Sequence, residues 1–95
     1  MKVRYTKTAL ADIEQTFSYI SQDDPAAASQ VVIAVEKTIA RLAEFPRSGV
    51  ETSLPGVRVA VVYPYPYLVF YSIAGESLII RNLRHGARRR TDSKR

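Results

Sequence analysis

Gln22-Asp23-Asp24-Pro25 is the most restrictive stretch of this chain, because it leaves only four residues to join two amphipathic helical patterns. Before it, Leu10, Ile13, Phe17 and Ile20 recur at spacings of three and four, which puts them in one helical stripe. After it, Ala28, Val32, Val35, Ile39 and Leu42 form a second stripe, widened by Val31 and Ile33. Asp24 suits an N-cap, and Pro25 suits the first helical position, where its missing N–H has no intrahelical partner. So short a link folds the two helices into an antiparallel hairpin, the second running over residues 25–44. Asp12 and Glu14 read as acidic residues complementing the positive end of the first helix.

Phe45-Pro46-Arg47-Ser48-Gly49 ends the second helix, and beyond Leu54-Pro55-Gly56 the pattern becomes β-branched and aromatic. Residues 57–63, 67–73 and 77–83 read as three strands, joined by Pro64-Tyr65-Pro66 and Ala74-Gly75-Glu76 at hairpin length. Residues 1–6 read as a further strand, with Val3 and Tyr5 alternating against Lys2 and Arg4. The expected architecture is an α+β fold in the order βααβββ. It is a four-stranded antiparallel sheet with the helical hairpin on one face and the other face left partly open.

Ninety-five residues are enough for one domain with a modest core, so residues 1–95 read as a single unit. The absence of cysteine excludes disulfides, thiolate metal sites and a cysteine nucleophile. The N-terminus lacks the apolar core of a signal peptide, and no apolar run approaches the length of a membrane span. The expectation is therefore a cytoplasmic protein with no membrane partner. The formal charge of +5 is unevenly spread. Residues 81–95 hold seven basic side chains against Asp92, a net of +6, whereas residues 1–80 hold seven basic and eight acidic, a net of −1. Residues 89–95 read as a basic tail. Such an end suits nucleic acid or an acidic protein surface, and equally a solvated tail that aids solubility.

Most catalytic templates fail on this sequence. A single His, no Cys and four scattered glycines leave no zinc constellation and no phosphate-binding loop, so no metal or cofactor is expected. Ser72 and Ser77 flank a hairpin without nucleophile spacing. What remains is the run from Arg81 to Arg90, containing Arg84, His85, Arg88 and Arg89, with the tyrosines before it. Arg can neutralise a phosphate, His can exchange a proton near neutral pH, and Tyr can stack on a base. Read structurally, His85-Gly86 is a strand-end turn with Arg side chains in solvent. Tyr67 and Tyr71, four apart on one strand, share a sheet face and suit packing or partner contact; Tyr63 and Tyr65 lie at a Pro-flanked turn.

The motifs taken in order resemble the ParE/RelE superfamily of bacterial type II toxins over nearly the whole length. They are Ala9-Leu10-Ala11-Asp12-Ile13 with Tyr19-Ile20, then Leu42-Ala43-Glu44-Phe45-Pro46-Arg47-Ser48-Gly49. Gly56-Val57-Arg58, Tyr67-Leu68-Val69-Phe70-Tyr71 and Leu83-Arg84-His85-Gly86-Ala87-Arg88 follow. The resemblance implies a toxin encoded beside a small antitoxin, ParD-like or related, whose acidic C-terminal segment meets the basic end. Arg81, Arg84, Arg88, Arg89, Arg90, Tyr67 and Tyr71 are the residues expected to bind antitoxin or target.

Within the superfamily, RelE-like members cleave mRNA on the ribosome, and ParE-like plasmid-stabilisation toxins inhibit DNA gyrase. This chain has Val59, Val61 and Tyr67-Leu68 where RelE-like nucleases set basic residues, and nothing after Arg88 is Tyr or His. Hydrophobic side chains cannot stabilise a pentacovalent phosphorane. The resemblance therefore implies gyrase inhibition without catalytic residues. The alternative is a ribosome-dependent endonuclease using Arg58, Arg84, His85 and Arg88.

Overall fold

A computed structural model describes residues 1–86. The elements in chain order are β1 (Lys2–Tyr5), α1 (Lys7–Ser21), α2 (Pro25–Glu44), β2 (Val50–Glu51), β3 (Arg58–Val62), β4 (Tyr67–Ala74) and β5 (Ser77–His85). Asp24 caps α2 by accepting the Ala27 N–H at 3.1 Å, with Pro25 in the first turn. Thr6 caps α1 by accepting the Ala9 N–H at 3.0 Å, and its hydroxyl donates to the Arg81 carbonyl at 2.8 Å. One threonine thus starts a helix and fastens it to β5. Thr6→Ala should cost about 1–2 kcal/mol in chemical denaturation, and Thr6→Ser should recover most of it.

The sheet differs from the expected one. It has five strands in the order β1-β5-β4-β3-β2 and is mixed, because β1 pairs parallel with β5 while the other pairs are antiparallel. Hairpin turns force antiparallel pairing only between consecutive strands, and β1 meets β5 after the whole helical hairpin and meander have intervened. Strand β2 pairs only Val50 with Val59 and Glu51 with Arg58, which is too short to give a period-two pattern in sequence.

Helix α1 packs over β5 and α2 over β3, so both lie on one face of the sheet. The core joins Val31, Val35, Ile39 and Leu42 of α2 to Val62, Val69, Tyr71, Leu78, Ile80 and Leu83 of the sheet. Helix α1 is rotated from the expected stripe: Ala9 is fully buried, Ile13 and Ile20 are half-buried, and Leu10 is 55% exposed. A methyl side chain at residue 9 lets the helix sit close to the strand beneath it. In β5 the register shifts, Phe70 pairing with Asn82 and Tyr71 with Ile80, so Arg81 is the extra residue of a bulge. The bulge lets Leu78, Ile80 and Leu83 all face the helices although their spacings are two and three.

Candidate partner-binding surface

Period-two alternation assigns every strand residue to a face. The face turned away from the helices carries Val59 and Val61 of β3, Leu68 and Phe70 of β4, and Ile79 of β5. Along its β1–β5 border stand Lys2, Arg4, Arg81 and Arg84. Two of these cations are steadied by hydroxyls on the same face: Arg4 Nε lies 3.4 Å from Ser77 Oγ, and Arg81 Nη1 lies 3.2 Å from Ser72 Oγ. Arg84 places its guanidinium carbon 6.0 Å from the Phe70 ring centre, within cation–π range. Glu51 pairs with Arg58 on the helix-bearing side and Glu76 lies in the turn between β4 and β5, so no described strand carboxylate shares this face.

The helix-bearing face holds the residues that sequence reading set beside those arginines. His85 pairs with Tyr67 across β4 and β5, their rings edge-on at 5.2 Å and 85°. Arg84 pairs with Leu68 and therefore points to the other face. Arg58 pairs with Tyr71, three residues further along β4, which is about 10 Å from the Arg84 position and again on the helix-bearing side. Its guanidinium donates to the Arg47 carbonyl at 3.2 Å and the Gly49 carbonyl at 2.7 Å, and meets the Glu51 carboxylate at 3.2 Å. Arg58 stands apart from Arg84 and His85, which leave β5 on opposite faces but both line a cleft beside α1. Arg88, Arg89 and Arg90 lie outside the described residues.

Tyr71, expected among the binding residues, is fully buried. Its hydroxyl donates to the Pro46 carbonyl at 2.7 Å and accepts the Gly49 N–H at 2.9 Å. The Phe45–Gly49 segment is thereby folded over one phenol, and Tyr71 presents nothing to a partner. Tyr67 is half-buried against the core cluster. Tyr65 also packs on that cluster, whereas Tyr63 is exposed. Burial, with the Glu36 carboxylate adding, raises the Tyr5 phenol above its ordinary value and keeps it neutral.

Asp12 has a role that its sequence position conceals. It is the sixth residue of α1, beyond the first turn, and its Oδ2 accepts the Leu83 N–H at 3.0 Å. Strand β1 ends opposite Ile80, so the outer edge of β5 beyond that point has no strand beside it. Thr6 and Asp12 supply side-chain partners there. The cleft, of about 850 Å³, opens between α1 and this end of β5; its lining includes Thr8, Gln15 and Tyr19 of the helix side and Tyr67, Arg81, Arg84 and His85 of the sheet. Among the described residues, no cluster of three His, Cys, Asp or Glu side chains forms a metal site, and no helix is long and apolar enough to cross a membrane.

The family described as ParE toxin of type II toxin-antitoxin system, parDE, has a model that matches residues 3–90, and the chain belongs to that family, within the ParE/RelE superfamily of toxins. A protein described as Toxin RelE2 from Caulobacter vibrioides is 34% identical over 87 residues, covering 92% of this chain and 97% of its own. A putative toxin, Y4kP, from Sinorhizobium fredii is 33% identical over 79 residues, covering 83% of this chain and 82% of its own. In fold, the chain resembles one from the chromosomal ParDE TA system of P. aeruginosa, with TM-score 0.78, 20% identity and coverage of 90% and 95%. It also resembles a chain of the E. coli DinJ-YafQ complex, with TM-score 0.61, 14% identity and coverage of 92% and 94%.

Proposed function

We propose that this toxin acts in the cytoplasm by binding DNA gyrase and is held silent by a cognate antitoxin. The observation that carries the reading is the division of the polar residues between two faces. An mRNA endonuclease needs its phosphate-binding cations and its proton-transfer group around one phosphodiester. Here Arg58 is tied to backbone carbonyls away from the cleft beside α1, and Arg84 and His85, although both line that cleft, leave β5 on opposite faces. Val59, Val61 and Leu68 occupy the middle of the open face, and their side chains offer phosphate neither charge nor hydrogen bonds. A surface of this composition favours contact with a protein.

Cells expressing the chain alone should stop growing, and coexpression of an adjoining antitoxin reading frame should restore growth. With purified gyrase and relaxed plasmid, micromolar protein should suppress supercoiling and accumulate cleavage complexes; unchanged gyrase activity overturns the reading. The cationic border keeps one alternative in view, a ribosome-dependent endonuclease drawing on Arg58, Arg84, His85 and Arg88. Transcript cleavage on programmed ribosomes that disappears with Arg88→Ala would favour it.

A further inference from the structure

We infer that the tip of the β3–β4 hairpin, with Tyr63 as its anchor, enters an apolar pocket on the target protein. This rests on the reading of gyrase as the target. At 78% exposure, Tyr63 is the most exposed large hydrophobic side chain among the described residues. Val61, Pro64 and Pro66 beside it are exposed as well. From Val59 to Gly75 the sequence carries no charged residue, the longest such run in the chain. The tip is therefore an apolar projection whose own residues bear no charge. The exposed apolar residues of the helical hairpin differ in this respect, since Glu14 stands one helical turn from both Leu10 and Phe17, and Glu36 one turn from Ile33.

The backbone beneath Tyr63 is fixed on both flanks. Residues 63–66 form the turn between Val62 and Tyr67, the last pair that β3 and β4 make. The Tyr65 N–H donates to the carbonyl of the fully buried Val62 at 2.8 Å. Tyr65 itself packs on the core cluster, with its hydroxyl 3.5 Å from Gln30 Oε1. On the other flank, the Pro66 carbonyl accepts the Gly86 N–H at 2.6 Å. Pro64 and Pro66 hold their φ angles before anything binds. An aromatic side chain on so constrained a turn gives up little freedom when a partner covers it. Tyr is enriched among the few residues that carry most of the binding energy of an interface, seated there in well-packed, dry pockets.

The chemistry of the tip selects a protein as its occupant's host. A phosphate backbone needs cations, and this run has none. An acidic segment, such as the one expected of the antitoxin, would gain no electrostatic attraction there. An apolar pocket with one hydrogen-bonding group for the phenol fits Tyr63 and the prolines around it.

The test is supercoiling of relaxed plasmid by purified gyrase in the presence of the wild-type chain, Tyr63→Ala, Tyr63→Phe or Tyr19→Ala. Tyr19, 74% exposed on α1, is the matched control. Tyr63→Ala should raise the concentration for half inhibition about thirtyfold. Tyr63→Phe should raise it no more than about threefold, because only the phenol hydrogen bond is lost. Tyr19→Ala should behave as wild type. All thermal midpoints should agree with that of the wild-type chain, since the replaced side chains lie in solvent. Tyr63→Ala should bind the antitoxin of the adjoining reading frame within about twofold of wild type. Retention of plasmid DNA alone on a filter should not depend on Tyr63. Wild-type inhibition by Tyr63→Ala overturns the anchor and leaves the gyrase reading standing. An equal loss in Tyr19→Ala, an equal loss of antitoxin binding, or a matching fall in DNA retention, which would assign Tyr63 to base stacking, each overturns it too. Absence of inhibition by the wild-type chain removes the gyrase reading and the anchor with it.

Discussion

Gly49→Ala should lower the thermal midpoint by about 10 °C or more. A Cβ at residue 49 would collide with the Tyr71 hydroxyl and stand 2.7 and 2.9 Å from two ring carbons. Gly49 is not in a left-handed conformation, so the conflict is purely steric. Tyr71 cannot withdraw, because it is fully buried and its hydroxyl is bound to Pro46 and Gly49. Overpacking of this kind costs about 1–3 kcal/mol, and losing the shared hydrogen bonds adds about 1–3 kcal/mol more. A domain of this size has on the order of 5–15 kcal/mol in total. Tyr71→Phe removes the atom nearest the new methyl, so Gly49→Ala should cost less in that background. Full additivity of the two changes would show that the phenol is not what residue 49 meets.

Asp12→Ala should destabilise the chain by about 1–3 kcal/mol, since the Leu83 N–H then loses its acceptor at a part-buried position. Asp12→Asn keeps a carbonyl oxygen in the same place and should lose less than half as much. Amide exchange separates this clip from a general loss of packing. In Asp12→Ala the Leu83 amide should exchange faster than the Leu78 and Ile80 amides, which lie in the part of β5 that β1 covers. Uniform acceleration along β5 would mean that Asp12 supports the fold broadly and does not anchor one strand end.

Local rules made the helical hairpin legible, and tertiary contacts hid the rest. Asp24 and Pro25 act where sequence placed them, because a cap is decided by neighbouring residues. The meander followed from its two short turns. The direction of β1 did not, since nothing local links Val3 to Leu78. Asp12 read as a helix-end charge because its strand partner is 71 residues away. Leu10 and Phe17 matched a helical period that fits two adjacent faces, and the close contact at Ala9 decides between them. Tyr71 was visible as a sheet residue, but the close approach of Gly49 that buries its hydroxyl was not. The bulge at Arg81 matters most for the candidate surface, because it fixes which of Arg84 and His85 joins the open face.

Gyrase inhibition by contact is the central proposal, and stoichiometry tests it most directly. Gyrase at several fixed concentrations is titrated with the wild-type chain and with His85→Gln, and remaining supercoiling activity is read. The claim predicts that the amount of chain needed rises in proportion to gyrase and is the same for both proteins. Untouched gyrase, together with transcript cleavage on programmed ribosomes by substoichiometric wild-type chain that His85→Gln abolishes, would contradict it.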